Sequence, residues 1–220
     1  MLRHALAPAV FALVLTPAAA LAEWEVSFYL GYQTAPHAEV SGTISGTPFR
    51  EHVAWEGRSF ENPVYYGFRA TNWLNETAGW GLEFNHAKVY ASDEDLAALG
   101  FTDLELSDGI NIITVNYMRR FPDAWSGSFA NFTPYVGAGI GISVPHVDVS
   151  DGVSKTFEYQ YTGPAVAWLA GASYPLTERV SGFVEYKGTY SQNEADLTGG
   201  GTLESDIITN ALNFGVSYSF

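Results

Sequence analysis

The segment at residues 208–220 constrains this chain most. Leu212, Phe214, Val216, Tyr218 and Phe220 fall on one side of an extended backbone, while Ala211, Asn213, Gly215, Ser217 and Ser219 fall on the other. Side chains in a strand have a period of two, so this alternation marks a two-faced strand. A soluble sheet buries the apolar face in a core. A membrane barrel turns it to lipid and lines its lumen with the small polar face. The pattern recurs at Trp24, Val26, Phe28, Leu30 and Tyr32, which oppose Ser27, Tyr29, Gly31 and Gln33. It recurs again at Val136, Ala138, Ile140, Ile142 and Val144, opposite Tyr135, Gly137, Gly139, Gly141 and Ser143. Val184, Tyr186 and Tyr190 oppose Phe183, Glu185, Lys187 and Thr189 in the same way.

The N-terminus bears on the choice between these folds. A short basic start with Arg3 and His4, an apolar stretch and an Ala20-Leu21-Ala22 cleavage pattern predict a signal peptide at 1–22. The domain expected after it spans 23–220. The chain has no cysteine, so disulfides, thiolate nucleophiles and cysteine-held metals are excluded. No later stretch approaches the roughly 20 apolar residues of a membrane helix. Aromatic residues make up 15% of the chain, which suits the girdles of a barrel at the two membrane interfaces.

Eight strands are expected, at residues 24–36, 60–73, 79–90, 108–120, 132–145, 157–174, 180–190 and 207–220. The connections after the second and sixth are short, the one after the fourth is intermediate, and those after the first, third, fifth and seventh are long. Outer-membrane barrels alternate in this way, with short periplasmic turns and long external loops. A sandwich predicts no such alternation. The fold expected is therefore all-β, an eight-stranded antiparallel transmembrane β-barrel.

There are 24 acidic residues against 10 basic ones. Most of the acids sit in or beside the long connections, where only Arg50, Arg58 and Lys155 oppose them. An acidic rim excludes nucleic acid as a direct partner. A small barrel fills its interior with side chains. Arg69, Glu83, Asn111, Asn116, Glu185, Lys187 and Asn213 share lumen parity, with Glu83–Arg69 and Glu185–Lys187 as the expected pairs.

His37, His52, His86 and His146 all fall at the external end. Imidazole beside carboxylate suits a metal site or an oriented general base. By parity His37 faces the lumen, and His86 follows the lipid-facing row of Phe84. His146 follows the row of Val144 unless Pro145 resets it. The glycine-rich run 137–141 lies inside a strand with no helix after it, so it is no nucleotide-binding loop. Ser150 beside His146 is the one local pair that suggests a deacylase.

Several stretches resemble the bacterial outer-membrane lipid A oxidase family. They are FYLGYQTAPH at 28–37, WEGRSF at 55–60, GLEFNHAKVY at 81–90, DGINIIT at 108–114, VPHVDV at 144–149 and EYKGTY at 185–190. The resemblance implies a barrel that oxidises the proximal glucosamine of lipid A to 2-aminogluconate, with molecular oxygen as co-substrate and a divalent metal ion. It assigns no catalytic residues. The residues themselves offer His86, Glu83 and His146 as catalytic candidates and His37, His86, His146 and Asp148 as metal ligands. Arg58 and Lys88 are candidates for lipid A phosphates. Expected partners are lipid A or lipopolysaccharide and, through the aromatic C-terminus, the outer-membrane barrel assembly machinery. The alternatives are a non-catalytic OmpA-like barrel and a lipid A deacylase.

Overall fold

A computed structural model describes residues 23–220, so the expected signal peptide at 1–22 lies outside the described residues. The described strands run, in chain order, β1 (Glu23–Thr34), β2 (Ala38–Ile44), β3 (Thr47–Val53), β4 (Tyr66–Trp73), β5 (Ala78–His86), β6 (Val89–Tyr90) and β7 (Asp103–Leu106). They continue with β8 (Ile112–Arg120), β9 (Thr133–Ser143), β10 (His146–Ser150), β11 (Lys155–Tyr159), β12 (Gly163–Pro175), β13 (Val180–Asp196) and β14 (Gly201–Ser219). One helix, α1 (Asp93–Leu99), lies between β6 and β7.

Eight of these strands form the barrel, in the order β1-β4-β5-β8-β9-β12-β13-β14, and β14 closes on β1. Every neighbouring pair is antiparallel, and closure pairs Gln33 with Ala211 and Tyr29 with Gly215. Closure satisfies every edge, which a sheet in lipid requires. The alternation behaves as a membrane barrel demands. Trp24, Leu30, Ile140, Val184 and Phe214 point outward and exposed, while Ser27, Tyr29, Asn116, Glu185 and Asn213 are buried inside. At Gly67 the Tyr29 ring occupies the place a side chain would take, so glycine there makes room for a large lumenal aromatic.

Turns after β4 and β12 are short, and the β8–β9 connection carries a single 3-10 turn at Gly127–Phe129. The external end differs from the expected loops. The connection after the seventh barrel strand is not a long loop, because β13 and β14 stay paired up to Asp196 and Thr202 as a protruding hairpin. The expected strand at 157–174 divides into β11, outside the barrel, and β12. The expected strand at 79–90 likewise divides after His86.

These external segments fold together as a cap. The β2–β3 hairpin pairs onto the top of β14 through Val40 and Ser205. A separate sheet, β11-β10-β7-β6, stands beside it. Glu56 and Tyr90 bridge the first and second external segments. Helix α1 starts at Ser92, whose Oγ accepts the Asp95 N–H, and stops at Gly100 with φ 72°, the usual left-handed terminator. Val40, Val53, Leu104, Val147, Val149 and Leu203 are buried together beneath these pieces. Each such side chain contributes roughly 1.5–3 kcal/mol on burial. The acidic residues therefore decorate a folded cap.

Candidate functional site

A cleft of about 450 Å³ lies where the barrel wall meets the cap, on the outside of the protein. Phe84, Ile113 and Val144 form its barrel side, and Tyr159 of β11 and the loop at residues 108–111 form its cap side. His86, the last residue of β5, stacks on Tyr66 with ring centroids 4.9 Å apart and planes 22° apart. The two residues are direct partners across β4 and β5. Nδ1 of His86 lies 3.0 Å from Asn111 Oδ1. Asn111 Nδ2 donates to the Asp108 carbonyl, so Oδ1 is an acceptor and Nδ1 carries the imidazole proton. Nε2 then keeps a bare lone pair, and it is buried without a hydrogen-bond partner.

The loop at 108–111 is shaped to hold this arrangement. Asn111 has φ 48° and Gly109 has φ 96°. A side chain at Gly109 would run into His86 Nδ1 and Asn111 Oδ1, so only glycine lets the loop approach the ring. The same loop reaches His146. Asp108 Oδ2 lies 3.6 Å from His146 Nδ1, and the His146 N–H donates to the Gly109 carbonyl at 3.0 Å. The His146 ring packs edge-on against Phe157 and Tyr159, at 4.4 and 4.8 Å between centroids.

The structure thus brings His86 and His146 to one loop, but it separates them from the other candidates. His37 is exposed in the β1–β2 connection. Asp148 is tied up by Lys155 at 2.9 Å. Among the described residues no group of three or more His, Cys, Asp or Glu is arranged to hold a metal ion. The expected set of His37, His86, His146 and Asp148 is therefore not assembled, and a divalent metal does not fit this donor set. The parity of β1 ends at Thr34, which is why His37 left its lumen row.

Glu83 lies three residues before His86, on the opposite face of β5, and is a lumen residue. It accepts from Tyr29 Oη at 2.7 Å and Asn116 Nδ2 at 2.6 Å. Lys187 Nζ lies 3.0 Å from it and Arg69 3.5 Å. Arg69 also pairs with Glu185 at 2.7 Å, and Tyr135 Oη donates to Glu185 at 3.0 Å. The expected Glu185–Lys187 pair does not form. Residues two apart on one strand are about 6.6 Å apart along it, and partners across the lumen are nearer. Asn111 also leaves the predicted lumen set, because β8 begins one residue after it.

Arg58 and Lys88 both lie against the Tyr90 ring, with Arg58 Cζ 4.6 Å and Lys88 Nζ 5.3 Å from its centre. Arg58 is held by Glu56 at 2.8 Å. Lys88 is wholly buried and donates to the Glu61 carbonyl at 2.8 Å. Burial pushes its ammonium below the usual lysine range, and nearby Arg58 adds to the shift. Such a lysine cannot meet a phosphate at the surface, so Arg58 alone keeps that placement. Tyr66, Asp108, Asn111 and Tyr159 were missed as site residues. The Asp108-Gly109 dipeptide, a turn signal, was the one hint of the loop that organises them.

A closed eight-stranded barrel with an apolar belt, a polar interior and a folded external cap is an outer-membrane protein. The chain belongs to the family described as outer membrane protein beta-barrel domain, whose model matches residues 8–220, and it resides in the bacterial outer membrane. Among solved structures it is similar to the Neisserial surface protein A, with a TM-score of 0.51 and 16% identity over 90% of this chain and 97% of that one. It is also similar to OprG of Pseudomonas aeruginosa, with a TM-score of 0.57 and 13% identity over 90% of this chain and 96% of that one. At these identities the likeness concerns the fold. Comparison with curated proteins by sequence gives no match.

Proposed function

We propose that this barrel is a lipid A-modifying enzyme that oxidises the proximal glucosamine of lipid A to 2-aminogluconate, with dioxygen as co-substrate. The observation that carries this reading is the bare, buried Nε2 of His86 in a cleft open to the outer leaflet. A lipid leaning on Phe84, Ile113 and Val144 would bring its headgroup to the mouth of that cleft, and the closed-off nitrogen meets it when the imidazole turns off Tyr66. His86 then acts as the base that takes a proton from a sugar hydroxyl, with Asn111 fixing the tautomer. On a proximal glucosamine with a free anomeric hydroxyl, the anomeric carbon loses two electrons and its hydrogen. Dioxygen takes the two electrons and both protons as hydrogen peroxide, and water opening the resulting lactone supplies the oxygen atom the lipid gains. The terminal Phe220, 73% exposed, is in this reading the mark presented to the barrel assembly machinery.

The deacylase reading loses its one pair. His146 and Ser150 are four residues apart on β10, about 13 Å along the strand, beyond any hydrogen bond. The second reading is a non-catalytic surface barrel, supported by the fold shared with the Neisserial surface protein A. Mass spectrometry of lipid A from cells with and without the gene separates the two. The enzyme adds one oxygen atom to the intact lipid in aerated culture. His86→Ala lowers that conversion by about 10²–10⁴-fold while the barrel still folds. Unmodified lipid A in cells that carry the folded wild-type protein leaves the surface barrel as the function.

A further inference from the structure

The cap sheet is buried on both faces at β10 and exposed along its edge strand β11. Residues directly opposite across paired strands project to the same side. Leu104, Val149 and Thr156 therefore share the inner face, and all three are buried. Glu105, Asp148 and Phe157 form a row on the other face, with His146 and Tyr159 in the next row. Phe157 and Tyr159 are 60% and 59% exposed, and Tyr161 at 65% continues the run toward the membrane-facing start of β12. β11 is the edge strand of this sheet. Tyr159 also lines the His86 cleft, so the aromatic face is continuous with the lipid-facing wall of the barrel.

We propose that this outward face docks the neutral core sugars of an outer-leaflet glycolipid whose lipid anchor lies against the wall beside His86. The proposal rests on the lipid A reading above and narrows its ligand to the sugar-extended lipid. A pyranose has an apolar C–H face and a rim of hydroxyls. Phe157 and Tyr159 offer rigid, flat apolar surfaces that lose little side-chain entropy on contact. Glu105, half-buried in the same row, and Asp108, at the edge of the cleft, accept hydrogen bonds from hydroxyls. Lys155 ties Asp148 to the aromatic row, with Nζ 2.9 Å from Asp148 and 5.1 Å from the Phe157 ring centre. His146, buried and edge-on to both rings, packs beside them on the same face and holds them upright. Glu105 and Asp108, accessible beside the rings, disfavour an anionic chain, which is why the occupant is a neutral sugar.

The test is native mass spectrometry of the folded protein in detergent. One sample is doped with lipopolysaccharide bearing a hexose-containing core, and another with bare lipid A released from it by mild acid. The two probes share the anchor and differ in the sugars. The wild type retains the lipopolysaccharide about tenfold better than the lipid A, a difference of about 1.4 kcal/mol. The double variant Phe157→Ala/Tyr159→Ala retains both equally, and Phe157→Ala alone, at an exposed position, gives an intermediate preference. Heat-dependent gel mobility confirms that each variant is folded. Equal retention of the two probes by the wild type overturns the proposal, as does an undiminished preference in the folded double variant. The readout is binding, so it is independent of oxidation. A sugar preference in a protein that leaves lipid A unmodified sinks the enzymatic reading and keeps the platform, whereas oxidation without a sugar preference sinks the platform alone.

Discussion

Single residues decide what the cleft can do, and Gly109 is the most exacting of them. Its φ of 96° and its contact with His86 leave no room for a side chain. Gly109→Ala should cost about 1–3 kcal/mol of strain and displace the imidazole. The measurement is urea unfolding in detergent together with lipid A oxidation, and both should fall. An unchanged unfolding midpoint would show that the loop relaxes freely. Lys88 gives a prediction of the opposite sign. Its pKa is lowered by burial, so the folded state binds the proton more weakly than the unfolded chain. The lysine opposes folding below that lowered value, and the penalty fades as pH rises toward about 10.4. Lys88→Met should therefore equal or exceed the wild type in stability at pH 7, and the gap should narrow by pH 10. Unfolding midpoints at the two pH values check this, and a gap that widens with pH refutes it.

At the scale of elements, the lumen is held by charges that no single strand pairs within itself. Glu83 on β5 is the sole carboxylate bridged to Lys187 of β13, at 3.0 Å. Glu83→Leu leaves that ammonium buried and unpaired, which should cost about 3–5 kcal/mol. Adding Lys187→Leu should recover much of it, and the coupling measured by the double-mutant cycle reports the pair. Additive costs would mean that the two charges do not act together. Parity made these lumen residues readable, because a period of two sorts Glu83, Glu185 and Lys187 inward whatever the register. The expected Glu83–Arg69 pair forms at 3.5 Å between neighbouring strands, but parity could not find Glu83–Lys187 or Arg69–Glu185, since pairing across the lumen depends on how the sheet closes. The cap was illegible for a related reason. Val40 and Leu203 are far apart in the chain, and each alone reads as an apolar residue in a polar loop. Their burial depends on β2 docking onto β14. His86 was legible as the end of a lipid-facing row. The loop that orients it was not, since a left-handed Asn111 carries no periodic signal.

The whole molecule closes its own interior twice. The Arg69–Glu83–Lys187–Glu185 network fills the middle of the lumen. Higher up, Asn193 gathers Ser143 and Thr162 at 2.8 and 2.9 Å, and the cap packs above them. An opening of about 450 Å³ lies at the periplasmic end, with Arg69 and Tyr135 in its lining. An ion crossing the barrel would have to break buried ion pairs, each costing several kcal/mol to expose or leave unmatched. An eight-stranded barrel has too little width to offer a way around them. Purified protein in planar bilayers should therefore show no conductance steps, and weakening the middle barrier alone with Arg69→Ala should open no path, because the cap and the Asn193 cluster remain. Discrete steps in the wild type would contradict a plugged barrel and move the function inside. Silence in both fits a plugged barrel and agrees with the proposed reading, in which the outer wall beside His86 is the working surface.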